Sequence, residues 1–82
     1  MNYKVSNKTN NLFNSIGYER SDNKYEKDDE IIYNNDKELS VIICRNGYFN
    51  EETAYGVPSN FSSDEIIVCA ELAKELKNKN EQ

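Results

Sequence analysis

The chain has no histidine, three glycines, one proline and two cysteines among its 82 residues. Each shortage closes off a class of chemistry. Without histidine there is no imidazole general base, no Ser–His or Cys–His nucleophile pair and no histidine metal ligand. Gly17, Gly47 and Gly56 stand far apart, so no glycine-rich strand-to-helix turn exists to cradle a phosphate. Two isolated cysteines complete neither a disulfide framework nor a structural zinc site. Cys44 and Cys69 each end or interrupt an apolar run, VIIC and IIVCA, where cysteine behaves as a small hydrophobe, and both are expected as reduced core thiols.

Long apolar runs are missing too. The longest are four or five residues, far short of a membrane span. No positively charged start leads into an apolar segment, so no signal peptide is expected and a cytoplasmic location is the default. Basic residues are scarce, ten against fifteen acids for a net charge of −5. Phosphate neutralisation supplies most nucleic-acid affinity, so direct binding of nucleic acid is not expected, nor is binding to a membrane. An acidic surface steers basic partners instead.

What remains is a single domain whose nine aromatics, six of them tyrosine, argue for a packed core. The ordered core is expected over about residues 9–77, with frayed ends. The segment SNKTNNLFNSIGYE predicts a short helix with Thr9 or Asn10 as N-cap, Leu12, Phe13 and Ile16 at helical spacing, and Gly17 as the left-handed C-terminal residue. Residues 18–20, 24–27 and 30–34 read as weaker strands, and LSVIICR (39–45) as the strongest. Asn46-Gly47 follows it, the dipeptide preferred in a two-residue type I′ hairpin. That turn would set Arg45 opposite Tyr48, Cys44 opposite Phe49 and Ile42 opposite Glu51, unless a bulge shifts the return strand. Pro58 bars a continuing central strand. Ser62 with Glu65 fits a capping box, and Phe61 with Ile66 the hydrophobic staple around it. Cys69, Leu72, Ala73 and Leu76, broadened by Ile66, then form the apolar stripe of a C-terminal helix, with Glu71 and Glu75 assigned to its solvent face. The expected fold is α+β: a short N-terminal helix, an antiparallel meander of three or four strands, and a C-terminal amphipathic helix packed on the sheet.

Carboxylates are the remaining chemical resource. Residues 17–40 hold eight acids against four bases, concentrated in EKDDEIIYNNDKE (26–38). Asp28, Asp29 and Glu30, or Glu51 and Glu52, would make an acid–base pair only if one member were buried enough to raise its pKa. Consecutive acids flanked by Lys27 and Asn34 read as solvated, so no enzymatic activity is expected. A calcium loop needs a central glycine and alternating oxygen ligands; here Ile31, Ile32 and Tyr33 interrupt the oxygens, and neither metal nor cofactor is expected. Tyr18, Tyr25 and Tyr33 fall in strand-like segments and are expected to cover the sheet. Tyr48, Phe49 and Tyr55, interleaved with Glu51 and Glu52, read either as half-buried edge-strand aromatics or as a contact surface.

The arrangement resembles small acidic proteins encoded by phages and mobile elements of AT-rich Gram-positive bacteria. The residues that carry the resemblance are Phe13-Asn14-Ser15-Ile16-Gly17-Tyr18, Ile31-Ile32-Tyr33, Ser40-Val41-Ile42-Ile43, Ser62-Ser63-Asp64-Glu65 and Ala73-Lys74-Glu75-Leu76. Asn, Lys, Ile and Tyr supply 34 of the 82 residues, a bias that AT-rich coding produces. The resemblance implies a mobile-element origin, and some such proteins inhibit host enzymes by occupying basic nucleic-acid sites. The expectation is therefore a non-enzymatic module docking on a basic surface of a host protein, as an inhibitor or nucleic-acid mimic. Its contact residues would be Glu26, Asp28, Asp29, Glu30, Asp36, Glu38, Tyr48, Glu51 and Glu52. The alternative is a structural or assembly module acting as a homodimer, through strand 48–55 or the helix stripe.

Overall fold

Six elements lie within residues 3–21 and 30–80, the parts of the chain that the computed structural model describes. They are α1 (Asn7–Ser15), β1 (Glu19–Arg20), β2 (Glu30–Asn35), β3 (Ser40–Arg45), β4 (Tyr48–Thr53) and α2 (Ser63–Asn80). The strands form one antiparallel sheet in the order β1-β2-β3-β4. This is the expected α+β arrangement with four strands. The strand anticipated at 24–27 lies outside the described residues, as do Tyr25, Glu26, Asp28 and Asp29. Among the described residues no helix is long and apolar enough to cross a membrane.

α1 starts earlier than its apolar spacing suggested. Ser6, not Thr9 or Asn10, is the N-cap, and its Oγ accepts the Thr9 backbone N–H at 3.3 Å. The far end closes as anticipated, because Gly17 takes φ +93°. The Tyr18 N–H returns to the Phe13 carbonyl at 2.9 Å and the Gly17 N–H to that of Asn14 at 3.0 Å. This is a Schellman closure, and its accompanying apolar contact is the edge-on approach of the Phe13 and Tyr18 rings, centroids 6.5 Å apart. The Phe13-to-Tyr18 pattern therefore turns the chain from α1 into the sheet.

Asn46 and Gly47 both adopt positive φ, 51° and 83°, the backbone that a type I′ turn demands. The two-residue turn fixes the register: Arg45 pairs with Tyr48, Cys44 with Phe49, Ile42 with Glu51 and Val41 with Glu52. No bulge intervenes in this pairing. One sheet face carries Ile31, Tyr33, Ile42 and Cys44, all buried. Phe13, Tyr18, Val68, Cys69 and Leu72 join them in a single core. Phe13 lies flat on Tyr33, with ring centroids 3.8 Å apart and planes inclined by 8°. Such a pair adds about 0.5–1.5 kcal/mol beyond the area it buries. Val41 and Ile43, on the opposite face, are half-buried.

After β4 the chain doubles back. The Thr53 N–H bonds to the Val57 carbonyl and the Ser59 N–H to that of Glu51, and Pro58 bridges Glu52. Proline is tolerated here because it sits on a sheet edge, and the returning segment covers part of that edge. α2 then starts on the anticipated capping box: the Ser62 N–H reaches Glu65 Oε1 at 2.7 Å and the Glu65 N–H reaches Ser62 Oγ at 3.2 Å. Its buried stripe is Val68, Cys69 and Leu72. Ile66, assigned to that stripe from spacing, is instead 56% exposed, because the helix turns its 68–69–72 face to the sheet.

Candidate functional site

Among the described residues, the acids singled out from the sequence scatter on folding. Asp36 and Glu38 are exposed in the turn between β2 and β3, and Tyr48 is exposed beside the hairpin. Glu52 is half-buried opposite Val41. Glu30 is a correction, since it is buried at the start of β2 and accepts from Nε of its cross-strand partner Arg45. A charge out of water needs such a partner, and Arg45 supplies it. Glu51 is a second correction. It is only 8% exposed, and it does not act beside Glu52, because neighbouring strand residues point to opposite faces.

Glu51 faces Glu65 instead. β4 supplies the first residue, the initial turn of α2 the second, and the fold-back over Pro58 brings the two elements together. Ser59 Oγ donates to Glu51 Oε2 at 2.8 Å. Glu65 takes the Ser62 N–H on Oε1 and the Tyr18 hydroxyl on Oε2, the latter at 2.5 Å. Tyr18 spends its proton on Glu65, so Ser40 Oγ, 2.7 Å away, must donate to the phenol oxygen. Glu51 Oε1 is buried and receives no N–H or O–H donor.

Two carboxyls in contact cannot both stay ionised at low cost. Burial, then the contact with Glu65, pushes the Glu51 carboxyl up to about 7. Burial pushes Glu65 the same way. The hydrogen bonds from Glu51, Ser62 and Tyr18 outweigh it and hold Glu65 below the ordinary carboxylate value. The pair thus holds one proton below about 7, carried by Glu51. Burial, reinforced by Glu65, keeps Tyr18 firmly protonated. Cys69 is raised to about 12 by burial and by the nearby Cys44 and acids. Both cysteines are buried free thiols, and burial pushes Cys44 up as well.

The pair lines a surface groove of about 420 Å³ whose walls include Glu38, Ser40, Ser59 and Asp64. Glu38 and Asp64 are exposed at its rim. Among the described residues no lysine or arginine lines it. Sequence reasoning did not find this site, because Glu65 reads locally as a capping residue and Glu51 as a solvated neighbour of Glu52. The one usable signal was the unbroken Asn46-Gly47 register, which places Glu51 opposite the buried Ile42.

Two further features stand apart. Glu75, assigned to the solvent face, accepts from the Tyr3 hydroxyl (2.7 Å), the Ser6 N–H (3.1 Å), Ser6 Oγ (2.6 Å) and Thr9 Oγ1 (2.8 Å). Burial raises its carboxyl, but the donors of Ser6, Tyr3 and Thr9 outweigh that and hold it low. A shallow apolar groove lies between Phe49, Phe61, Ile66, Cys69, Ala70 and Ala73, with Ile67 61% exposed nearby. Among the described residues no three ligating side chains converge on a metal position. Comparison with known protein families, with curated proteins and with solved structures returns no match.

Proposed function

We propose that the protein is a small, non-enzymatic binding module that docks on a basic surface of a partner protein through the groove between the β2–β3 turn and the start of α2. One observation carries this reading: Glu38, Glu51, Asp64 and Glu65 line a single groove with no basic residue in its walls among the described residues. Such a concave acidic surface favours cationic side chains and speeds their encounter. In the phage-encoded reading the partner is a host protein whose nucleic-acid site the acids occupy. The test is affinity capture of partners across a salt series, with wild type beside Glu38→Gln/Asp64→Asn. Capture by the wild type should fall as salt rises and be weak for the variant at every salt concentration. Salt-insensitive capture, or equal capture by the variant, removes the proposal.

A second reading, a homodimer, is favoured by the apolar groove that Phe49, Phe61 and Ile66 line, with Ile66 and Ile67 exposed beside it. Sedimentation over a concentration range decides it: a dimer that Ile66→Ser dissociates supports the reading, and a monomer throughout eliminates it.

A further inference from the structure

We infer that Glu51 and Glu65 form a receptor for one guanidinium group, the end of an arginine side chain on the docked partner, which enters in place of the proton that the two carboxyls otherwise share. The geometry stands by itself; the source of the guanidinium rests on the docking reading above.

Three of the four carboxylate oxygens are already served. Glu51 Oε2 has Ser59, Glu65 Oε1 has Ser62 and Glu65 Oε2 has Tyr18. The fourth, Glu51 Oε1, belongs to a side chain more than nine-tenths buried and has no donor. The Glu51 side chain lines a groove open to solvent, with Oε1 itself covered beneath its surface. An acceptor set against another carboxyl needs a hydrogen-bearing positive group, either a proton or an N–H cation.

The chemistry of the site selects among cations. Calcium takes six to eight oxygens, whereas among the described residues no three ligating side chains gather anywhere. An alkylammonium is a compact, strongly hydrated point charge that offers no flat pair of donors to a carboxylate. Guanidinium is flat, more weakly hydrated, and presents paired donors matched to carboxylate geometry.

Among the described residues the groups facing the pair are all acidic or neutral. α2 contributes Asp64 and Cys69, the segment before β1 contributes Tyr18, β3 contributes Ser40, the β2–β3 turn contributes Glu38, and the fold-back contributes Ser59. Among these residues nothing competes with an incoming cation except the shared proton. Entry of the guanidinium therefore releases that proton to solvent, and affinity rises with pH until the pair is ionised.

Ethylguanidinium is the probe, titrated into the whole protein and followed by the amide signals of Ser59, Ser62 and Glu65. Its affinity should rise about tenfold from about pH 6 to about pH 8 and then level off. Calorimetry in two buffers should show close to one proton released at the lower pH. Glu51→Gln, near in shape and able to donate to Glu65, should lose both the binding and its pH dependence. Ethylammonium and calcium should bind at least tenfold more weakly. Equal binding of ethylammonium or calcium, an affinity independent of pH, or unaltered binding by Glu51→Gln each overturns the inference. The buffer measurement uses wild type alone, so it decides even where the variant folds poorly. If ethylguanidinium binds as described and salt-sensitive docking is absent, the docking reading falls and the receptor stands. If docking is salt-sensitive and ethylguanidinium shifts none of the three amides at either pH, the receptor falls and docking stands.

Discussion

The Tyr18 hydroxyl donates to Glu65 Oε2 at 2.5 Å, across 47 positions of sequence. Tyr18 is also the residue that closes α1, and Ser40 on β3 donates to its oxygen. One phenol thus joins the end of the first helix, a central strand and the first turn of the last helix. It also supplies one of the donors that keep Glu65 ionised.

Replacing Tyr18 with Phe keeps the ring but removes that donor from a charged acceptor. A loss of about 1.5–3 kcal/mol is expected, measured by urea denaturation at neutral pH. The Glu65 carboxyl should titrate at a higher pH in the variant, read from its carbon-13 shift. A wild-type titration curve would mean that Tyr18 contributes packing alone.

Glu51 makes stability fall as pH rises. Its folded-state value, about 7, lies above the ordinary 4.5, so the folded chain holds a proton that the unfolded chain releases. This contribution is fully present below about 4.5 and is lost as pH climbs through about 7. The Glu51→Gln variant cannot ionise and keeps a donor toward Glu65. It should match wild type near pH 5 and exceed it at pH 8 by on the order of 2–3 kcal/mol. Parallel pH–stability curves for the two proteins would contradict the shared proton.

Glu75 acts with the opposite sign. Its folded-state value is depressed by the Ser6, Tyr3 and Thr9 donors against the pull of burial. Its contribution is present above the ordinary carboxylate value and is lost as pH falls through the lowered one. Glu75→Gln should cost about 1.5–3 kcal/mol at neutral pH and lose less stability on acidification than wild type. Amide exchange over residues 5–10 should quicken in the variant, whereas the hairpin around Asn46 should not change.

Gly17 has little freedom to vary. Its φ is +93°, and a Cβ there would lie 3.0 Å from Asn35 Nδ2. Asn35 Oδ1 accepts the Glu38 N–H at 3.0 Å, so displacing that side chain also loosens the β2–β3 turn. Gly17→Ala should cost roughly 1–2 kcal/mol and lower Tm by roughly 5–10 °C.

Local signals carried much of this fold. Asn46-Gly47 marked the hairpin turn without help from distant residues, leaving only a bulge to shift the register, and Ser62 with Glu65 specified the start of α2. The Phe13-to-Gly17 spacing located the end of α1, although its start was misplaced because Ser6 caps from outside the apolar pattern. The site was hidden for the opposite reason. Glu51 and Glu65 meet only because the chain reverses over Pro58, a fold-back held by backbone bonds that carry no side-chain signature. Glu75 looked solvent-facing because its donors come from residues 66 to 72 positions away. An acidic residue whose partners are hydroxyls and backbone is indistinguishable in sequence from one whose partner is water.

The contacts around Glu75 have a topological consequence. Tyr3 binds Glu75 and lies beneath Lys79, whose Nζ is 4.7 Å from the ring centroid. Residues 3 and 79 are therefore spatial neighbours, and the described path returns to its own beginning. A short peptide could join those positions without crossing the domain, while new ends opened at the exposed tip around Tyr55-Gly56 would leave the hairpin and the Schellman closure intact. In packing terms the chain is a ring, and the order in which its segments are synthesised is a separate matter from the order in which they hold one another.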